Sequence, residues 1–467
     1  MNRINKKVPE ILLQSLGKIA RLPLPIPAQV IEKIDESLTP NMRALRLVLT
    51  ISEKLLSMGV SARDVVHMML GITRTYCKQP VHMDISSTLI TVSQDRGINR
   101  EPLTLIRAIT LVDVNYQTIQ ALQTLSREIR YQHIHLSEAE ERLEKIINPE
   151  KRHPRSLVAL SGGALSAGVV VMYGGSLQMA LLAMAVGTLS TVAMRLLWRV
   201  GVSVFFTQII MSLCITLIAT AVVCVNTKFN LAFNPTLIVI GGIVLLVAGM
   251  MIVGAFQDAI DEYYVTANAR LLRVLMATSG IVVGVAIGLH IATRLGISFP
   301  TTPDRLTLVD NYTQYIGAAV IASAFVIGNH APFFGTILAG LVGASGWGLF
   351  QLLTDAGWDV LLASGAAAAA IGLVATFMSR LWRIPSLAII GAGIVPLVPG
   401  LSLYNGLMGI ISQAPSDPGY VVALASLARA VMIGFAVAVG ASFGNAIGRP
   451  IRSQIRKLFV GIPTTAE

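Results

Sequence analysis

Residues Ile389–Gly409 read IIGAGIVPLVPGLSLYNGLMG. The stretch is almost wholly apolar and comes late in a run of apolar segments, so its solvent is lipid. It nevertheless holds Pro396, Pro399 and five glycines. Proline removes a backbone donor, and its ring clashes with the preceding turn. In a bilayer, backbone groups freed in this way survive only where they are buried in protein or face a wet cavity. A helix broken at membrane depth is a candidate binding site, with a Pro-kinked structural helix as the plainer alternative.

An earlier stretch repeats this one. Ile238–Gly249 reads IVIGGIVLLVAG and aligns without gaps on Ile389–Gly400, IIGAGIVPLVPG. Gly242 falls on Gly393 and Gly249 on Gly400, while the first copy lacks both prolines. Interrupted segments at corresponding places in two halves point to a transporter site. The chain reads as duplicated, with the two segments facing each other.

The surrounding composition agrees. Of 467 residues 54% are apolar and only 13% charged, and mean hydropathy is +0.69. A soluble domain has about a quarter of its residues charged. Most of the charge lies in residues 1–155, which read as a polar N-terminal domain. Residues 156–449 read as a membrane domain, and 450–467 as a basic tail. The net charge of +11 does not point to nucleic acid, because the bases flank the apolar spans and no aromatic-interleaved basic groove or zinc-finger spacing occurs. Cys77, Cys214 and Cys224 form no CxxC and imply no disulfide framework. Arg3, Lys6 and Lys7 precede too short an apolar patch for a signal peptide.

Within the polar domain, Leu22–Pro27 reads as a linker. Met42–Met58 has helical spacing and stops at Gly59. Ser61, with Asp64 three residues on, caps a second helix running to about Tyr76. Val81–Val92 is β-branched and alternating, a strand or bent hairpin, and Leu103–Ile109 a further strand. Asp113–Arg130 reads as a helix, and Ser137 as the cap of a last one, Glu138–Ile147. This is an α+β domain. His82, Asp84, Ser86 and Ser87 cluster in sequence, but neighbouring strand residues face opposite sides, so the four cannot all converge. GxSxG, HExxH and P-loop motifs are missing. His133 and His135 have no third ligand nearby. No catalytic residue, metal or cofactor is called for.

Ten candidate spans follow: 157–173, 177–194, 202–225, 235–256, 274–293, 312–327, 333–353, 360–378, 384–411 and 420–447. With the N-terminal domain inside, the inner loops hold Arg155, Arg195, Arg199, Arg270, Arg273, Arg380 and Arg383, against Lys228, Arg294 and Arg305 outside. That bias fits N-in, C-in topology and an even span count. Five spans per half invert the second copy, giving a 5+5 inverted repeat. Ionisable residues near spans usually mark function. The candidates are Asp258, Asp261, Glu262, His290, His330 and Asp355. Asp258 is also readable as a solvated interfacial carboxylate.

Together these residues resemble the threonine/serine exporter family of bacterial inner membranes, in particular its actinobacterial members. In the polar domain the resemblance rests on Leu55–Gly59, on His82-Met-Asp84-Ile-Ser with Thr88–Val92, and on Val112-Asp113. In the membrane it rests on Leu246-Val-Ala-Gly249, Gln257-Asp258, Val265-Thr266-Ala267 with Ala269-Arg270, and Pro396-Leu-Val-Pro399-Gly400 with Tyr404. It covers nearly the whole chain. Asp261-Glu262-Tyr263-Tyr264 departs from it, placing acidic bulk where a small, Gly-containing loop is expected. The resemblance implies export of L-threonine and L-serine driven by the proton motive force, so the expected partners are a small amino acid, protons and the lipid bilayer.

The expected site lies between the interrupted segments. Gly249, Pro396, Pro399 and Gly400 offer unwound backbone, and Gln257, Tyr404 and Asn405 offer side chains to the substrate. Asp258 is the proton carrier and Arg270 its release partner. A membrane-anchored enzyme or regulatory protein working through the N-terminal domain is the competing class. A passive channel lacks its usual rings of like charge here.

Overall fold

The computed structural model describes residues 39–110, 112–148, 154–229, 234–246, 249–297, 312–382, 384–413 and 416–460. The Leu22–Pro27 linker and Arg305 lie outside them. The chain is a polytopic helical membrane protein preceded by a smaller α+β unit.

That unit begins with α1 (Pro40–Ser57) and α2 (Ala62–Tyr76). Gly59, at φ 89°, makes the turn between them, a conformation open to glycine at little cost. Ser61 Oγ accepts from the Asp64 N–H and so caps α2. The strands β1 (Val81–Ser86), β2 (Leu89–Gln94) and β3 (Leu103–Ala108) form an antiparallel meander. The 81–92 stretch is thus a hairpin, with Ser86 opposite Leu89. Then come α3 (Tyr116–Gln132), capped by Asn115, and α4 (Leu136–Ile147). The helix expected to start after Ser137 starts at Leu136 instead. His135 is its cap and makes no side-chain capping bond. Leu45, Ile51 and Leu55 of α1 share one core with Met69 and Ile72 of α2, Ile90 of β2, and Ile119 and Leu122 of α3.

The described residues of the ten apolar segments are almost all helical. The helices are α5 (Arg155–Met172), α6 (Leu177–Arg199), α7 (Val204–Phe229), α8 (Pro235–Leu246), α9 (Gly249–Ile260) and α10 (Tyr264–Arg294). The second series is α11 (Thr313–Gly328), α12 (Phe333–Asp355), α13 (Val360–Leu381), α14 (Ser386–Ile394), a 3₁₀ turn (Val395–Leu397), α15 (Gly400–Ser412) and α16 (Pro418–Val460). Among the described residues seven helices are long and apolar enough to cross a membrane, and α8 with α9 makes an eighth, bent by 42°. The helix α11 and the Ser386–Leu397 segment are apolar but shorter. The tail expected from residue 450 continues α16 as helix to Val460.

Packing recurs between the two series. The helix α5 packs on α6 as α11 does on α12, α7 on α10 as α13 does on α16, and α5 meets α11. Without a hydrophobic drive between helices in lipid, close approach needs small residues. A Cβ at Gly284 falls 2.3 Å from the Ile209 carbonyl oxygen, and one at Gly444 falls 1.9 Å from that of Ala369. Leu181 and Leu189 of α6, and Val422 and Phe435 of α16, are exposed, as lipid-facing side chains are.

Candidate functional site

The first segment is bent by 42° between Leu246 and Met251, and the second is interrupted between Leu397 and Gly400. The repeat that aligns Gly249 with Gly400 also aligns Pro235 with Ser386 and Leu246 with Leu397. These are the start and end of α8 and the start and end of the Ser386–Leu397 segment. A new helix, α15, begins at Gly400, and the described part of α9 begins at the matched Gly249. The matched interior glycines are alike in packing. A Cβ at Gly242 meets Ile215 of α7 at 2.7 Å, and one at Gly393 meets Ile371 of α13 at 2.6 Å.

Proline chemistry accounts for the second break. Pro396 sits in the 3₁₀ turn, Val398 is extended (φ −63°, ψ 127°), and Pro399 lies at φ −78°, ψ 60°. The Gly400 N–H donates across Pro399 to the Val398 carbonyl at 2.8 Å, an inverse γ-turn. Pro396 and Gly400 are buried and Pro399 half-buried.

The two segments touch. A Cβ at Gly400 would meet Val244 Cγ2 at 2.9 Å and Ile240 Cγ2 at 3.6 Å, both on α8. Tyr404, only 2% exposed, hydrogen-bonds the side chain of Thr236, also on α8. The half-buried Asn405 has an Oδ1 with no hydrogen-bond partner among the described residues.

One residue at the first break went unread in the sequence. Gln208 of α7 is 7% exposed, and its Nε2 donates to the Leu246 carbonyl at 3.1 Å, the last of α8. Among the described residues its Oε1 has no hydrogen-bond partner, nor has the Oγ1 of the neighbouring, fully buried Thr207. A glutamine on an apolar helix was the available signal. Unpaired acceptors of this kind are rare in folded proteins. A groove of about 470 Å³ lies elsewhere, between the lipid-facing Leu160 of α5 and Leu181 of α6.

Gln257, Asp258 and Arg270 form a separate group. Asp258 is nine residues beyond Gly249, about 13 Å of helix. Its side chain is 0% exposed and its Oδ2 is 3.0 Å from Arg270 Nη1. Its Oδ1 accepts the Ala62 N–H at 3.0 Å, from the first turn of α2. Arg270 Nη2 donates to the Val60 carbonyl at 3.1 Å. Alongside, Arg63 Nη1 lies 2.6 Å from Asp261 Oδ1. Asp258 is thus not a solvated carboxylate: it is held by a helix N-terminus and a guanidinium. Gln257, half-buried on the same turn of α9, is not at the break.

The loop that follows explains the departure noted in the sequence. The Tyr263 N–H reaches the Asp258 carbonyl and the Glu262 N–H that of Ala259. Glu262 sits at φ 69°, the left-handed position where a helix end favours glycine. In the N-terminal domain, His82, Asp84 and Ser86 share one exposed face of β1, where Ser86 Oγ donates to Asp84 Oδ2 at 2.9 Å.

Two family models match the chain. One, described as a threonine/serine exporter, covers residues 46–292, more than half of it. The other, "Threonine/Serine exporter, ThrE", covers 314–447. The chain belongs to the threonine/serine exporter family. A threonine/serine exporter of Corynebacterium glutamicum is 28% identical over 441 residues, 93% of this chain and 88% of the relative. The "Probable threonine/serine exporter" of Mycobacterium tuberculosis is 29% identical over 410 residues, 85% of this chain and 76% of the relative. No solved structure matches. Membership in an exporter family, with apolar helices of spanning length, makes this a multi-pass membrane transporter of amino acids.

Proposed function

We propose that this exporter moves L-threonine and L-serine out of the bacterial cytoplasm, across the inner membrane, at the expense of the proton motive force. The observation that carries the reading is the pair of interrupted segments at repeat-matched positions, the first bent by 42° between Leu246 and Met251 and the second interrupted at Val398–Pro399, in contact through Gly400 and Val244. The membrane domain is read as ten spans in a 5+5 inverted repeat, with both termini cytoplasmic. The recurring helix pairings and the division of the two family matches between 292 and 314 support it.

The breaks suit a zwitterion. Inversion brings the C-termini of α8 and the 3₁₀ turn, and the N-termini of α9 and α15, toward one place. Helix N-termini favour the substrate carboxylate and C-termini its ammonium. Gln208 Oε1 and Asn405 Oδ1 are acceptors for the ammonium or the hydroxyl, and Tyr404 braces the site through Thr236.

Asp258 carries the proton and Arg270 takes over when it leaves. Protonation cancels the attraction to Arg270 and weakens the bond from the α2 N-terminus. Asp261, Asp64 and Arg63 are the other charges facing it. One proton crossing about 150 mV releases roughly 3.5 kcal/mol. A hundredfold amino-acid gradient costs about 2.7 kcal/mol, so one proton per substrate suffices. Counterflow of labelled threonine in proteoliposomes tests the reading. Exchange of threonine and serine, accelerated by a pH gradient, is expected; no exchange of either refutes it.

A further inference from the structure

We propose that the N-terminal domain is the inner gate of this exporter, a rigid strap that ties the inner halves of the two broken segments together and must let go once per cycle. The inference rests on the inverted-repeat exporter reading above, with the two halves rocking against each other to alternate access, and assigns a task to a domain that reading leaves without one.

The strap has two ends. At one, the start of α2 and the β1–β2 turn grip α9 and α10. Ala62 donates to Asp258, Arg270 donates back to Val60, and Arg63 pairs with Asp261. The Ser87 N–H, in a hairpin turn at φ 56°, donates to Thr266 Oγ1 at 3.1 Å. At the other end, the start of α3 meets the second half. The Tyr116 N–H donates to the Asn329 carbonyl, in the turn after α11, at 2.9 Å. The Tyr116 side chain is 1% exposed and shares a cleft with Val326, Pro332, Gly335, Ala388 and Ile389. Only about 10 Å³ remains free there, no more than one water needs.

The segments reached are the ones that matter. Asp258 lies on α9, the later half of the first broken segment. Ala388 and Ile389 lie on α14, the earlier half of the second. In opposite orientations those two halves sit on the same side, the side the positive-inside bias assigns to the cytoplasm. Between the two ends, α2 and α3 share one core, so the strap does not stretch. A rock of one half against the other has to break one end. The first is the releasable one: it is polar, and Asp258 is its centre. The second is an apolar plug with one backbone bond, and it stays seated.

The test uses the full chain with Cys77, Cys214 and Cys224 replaced by Ala. Ser87→Cys with Thr266→Cys puts two thiols at positions already joined by a 3.1 Å hydrogen bond, close enough to test for a disulfide. Oxidation is expected to cut threonine counterflow about tenfold or more, and reductant to restore it, since a locked gate stops the cycle. Full counterflow with the disulfide formed overturns the gate. Failure of the reduced protein to exchange threonine counts against the transport reading instead. If the disulfide does not form, a single Ala62→Cys decides the matter by labelling. With an impermeant maleimide on the inner side, its labelling is expected to rise severalfold when threonine and a proton gradient are supplied. Labelling that stays at its resting level while transport runs overturns the gate.

Discussion

Gly400→Ala probes the contact between the two breaks. The new methyl carbon would stand 2.9 Å from Val244 Cγ2 and 3.6 Å from Ile240 Cγ2. Carbon atoms prefer about 3.5–4.0 Å, so the Val244 contact is short by roughly 0.6 Å or more. Valine is stiff at χ1 and cannot swing aside freely. Overpacking of this kind costs about 1–3 kcal/mol. Val244→Ala alone costs roughly 1.5 kcal/mol, for two methyl carbons at about 0.8 each. The double variant removes the clash, so it is expected to be no less stable than Val244→Ala, with a coupling of about 1–2 kcal/mol. Gly434→Ala is the control, since its Cβ meets nothing within 4 Å; it is expected to be neutral or stabilising by about 0.5–1 kcal/mol. The readouts are thermal midpoint in detergent and threonine counterflow in proteoliposomes. Gly400→Ala should lower both, and adding Val244→Ala should lower them further by much less than Val244→Ala does alone, or not at all. Effects that add to within about 0.5 kcal/mol refute the facing of the two segments.

Asp258→Asn is expected to lose pH-gradient-driven export while keeping threonine–threonine exchange; full driven export removes Asp258 from proton coupling. Gln208→Leu leaves the Leu246 carbonyl without its donor, and should cost about 1–3 kcal/mol of stability and raise the threonine KM; an unchanged KM takes Gln208 out of the site. Glu262→Gly relieves a left-handed non-glycine residue and should stabilise by about 1 kcal/mol, read as a higher thermal midpoint.

Legibility followed locality. The Ser61 cap, the Gly59 turn and the end of α2 at Tyr76 are written in neighbouring residues, and the sequence places them well. So are the breaks, because proline and a repeated glycine act on their own turn. The start of α4 was misplaced: Ser137 is a strong capping type, yet His135 occupies the extended position before the helix. The acidic loop at Asp261–Tyr264 looked foreign because Glu262 stands where the backbone favours glycine. What no window displays is contact across long separations. The sequence offers Asp258 as a proton carrier or a solvated carboxylate, but not its bond from Ala62, 196 residues earlier. Tyr116 falls inside the expected Asp113–Arg130 helix, which starts only at Tyr116, and Gln208 was one polar residue in an apolar helix.

The central claim is that an amino acid sits between the two breaks. A density map of the protein with L-threonine bound tests it most directly. Threonine density is expected between Leu246–Gly249 and Val398–Gly400, with Gln208 or Asn405 in hydrogen-bond reach. Threonine bound elsewhere, with Gly400 still closed against Val244, contradicts it.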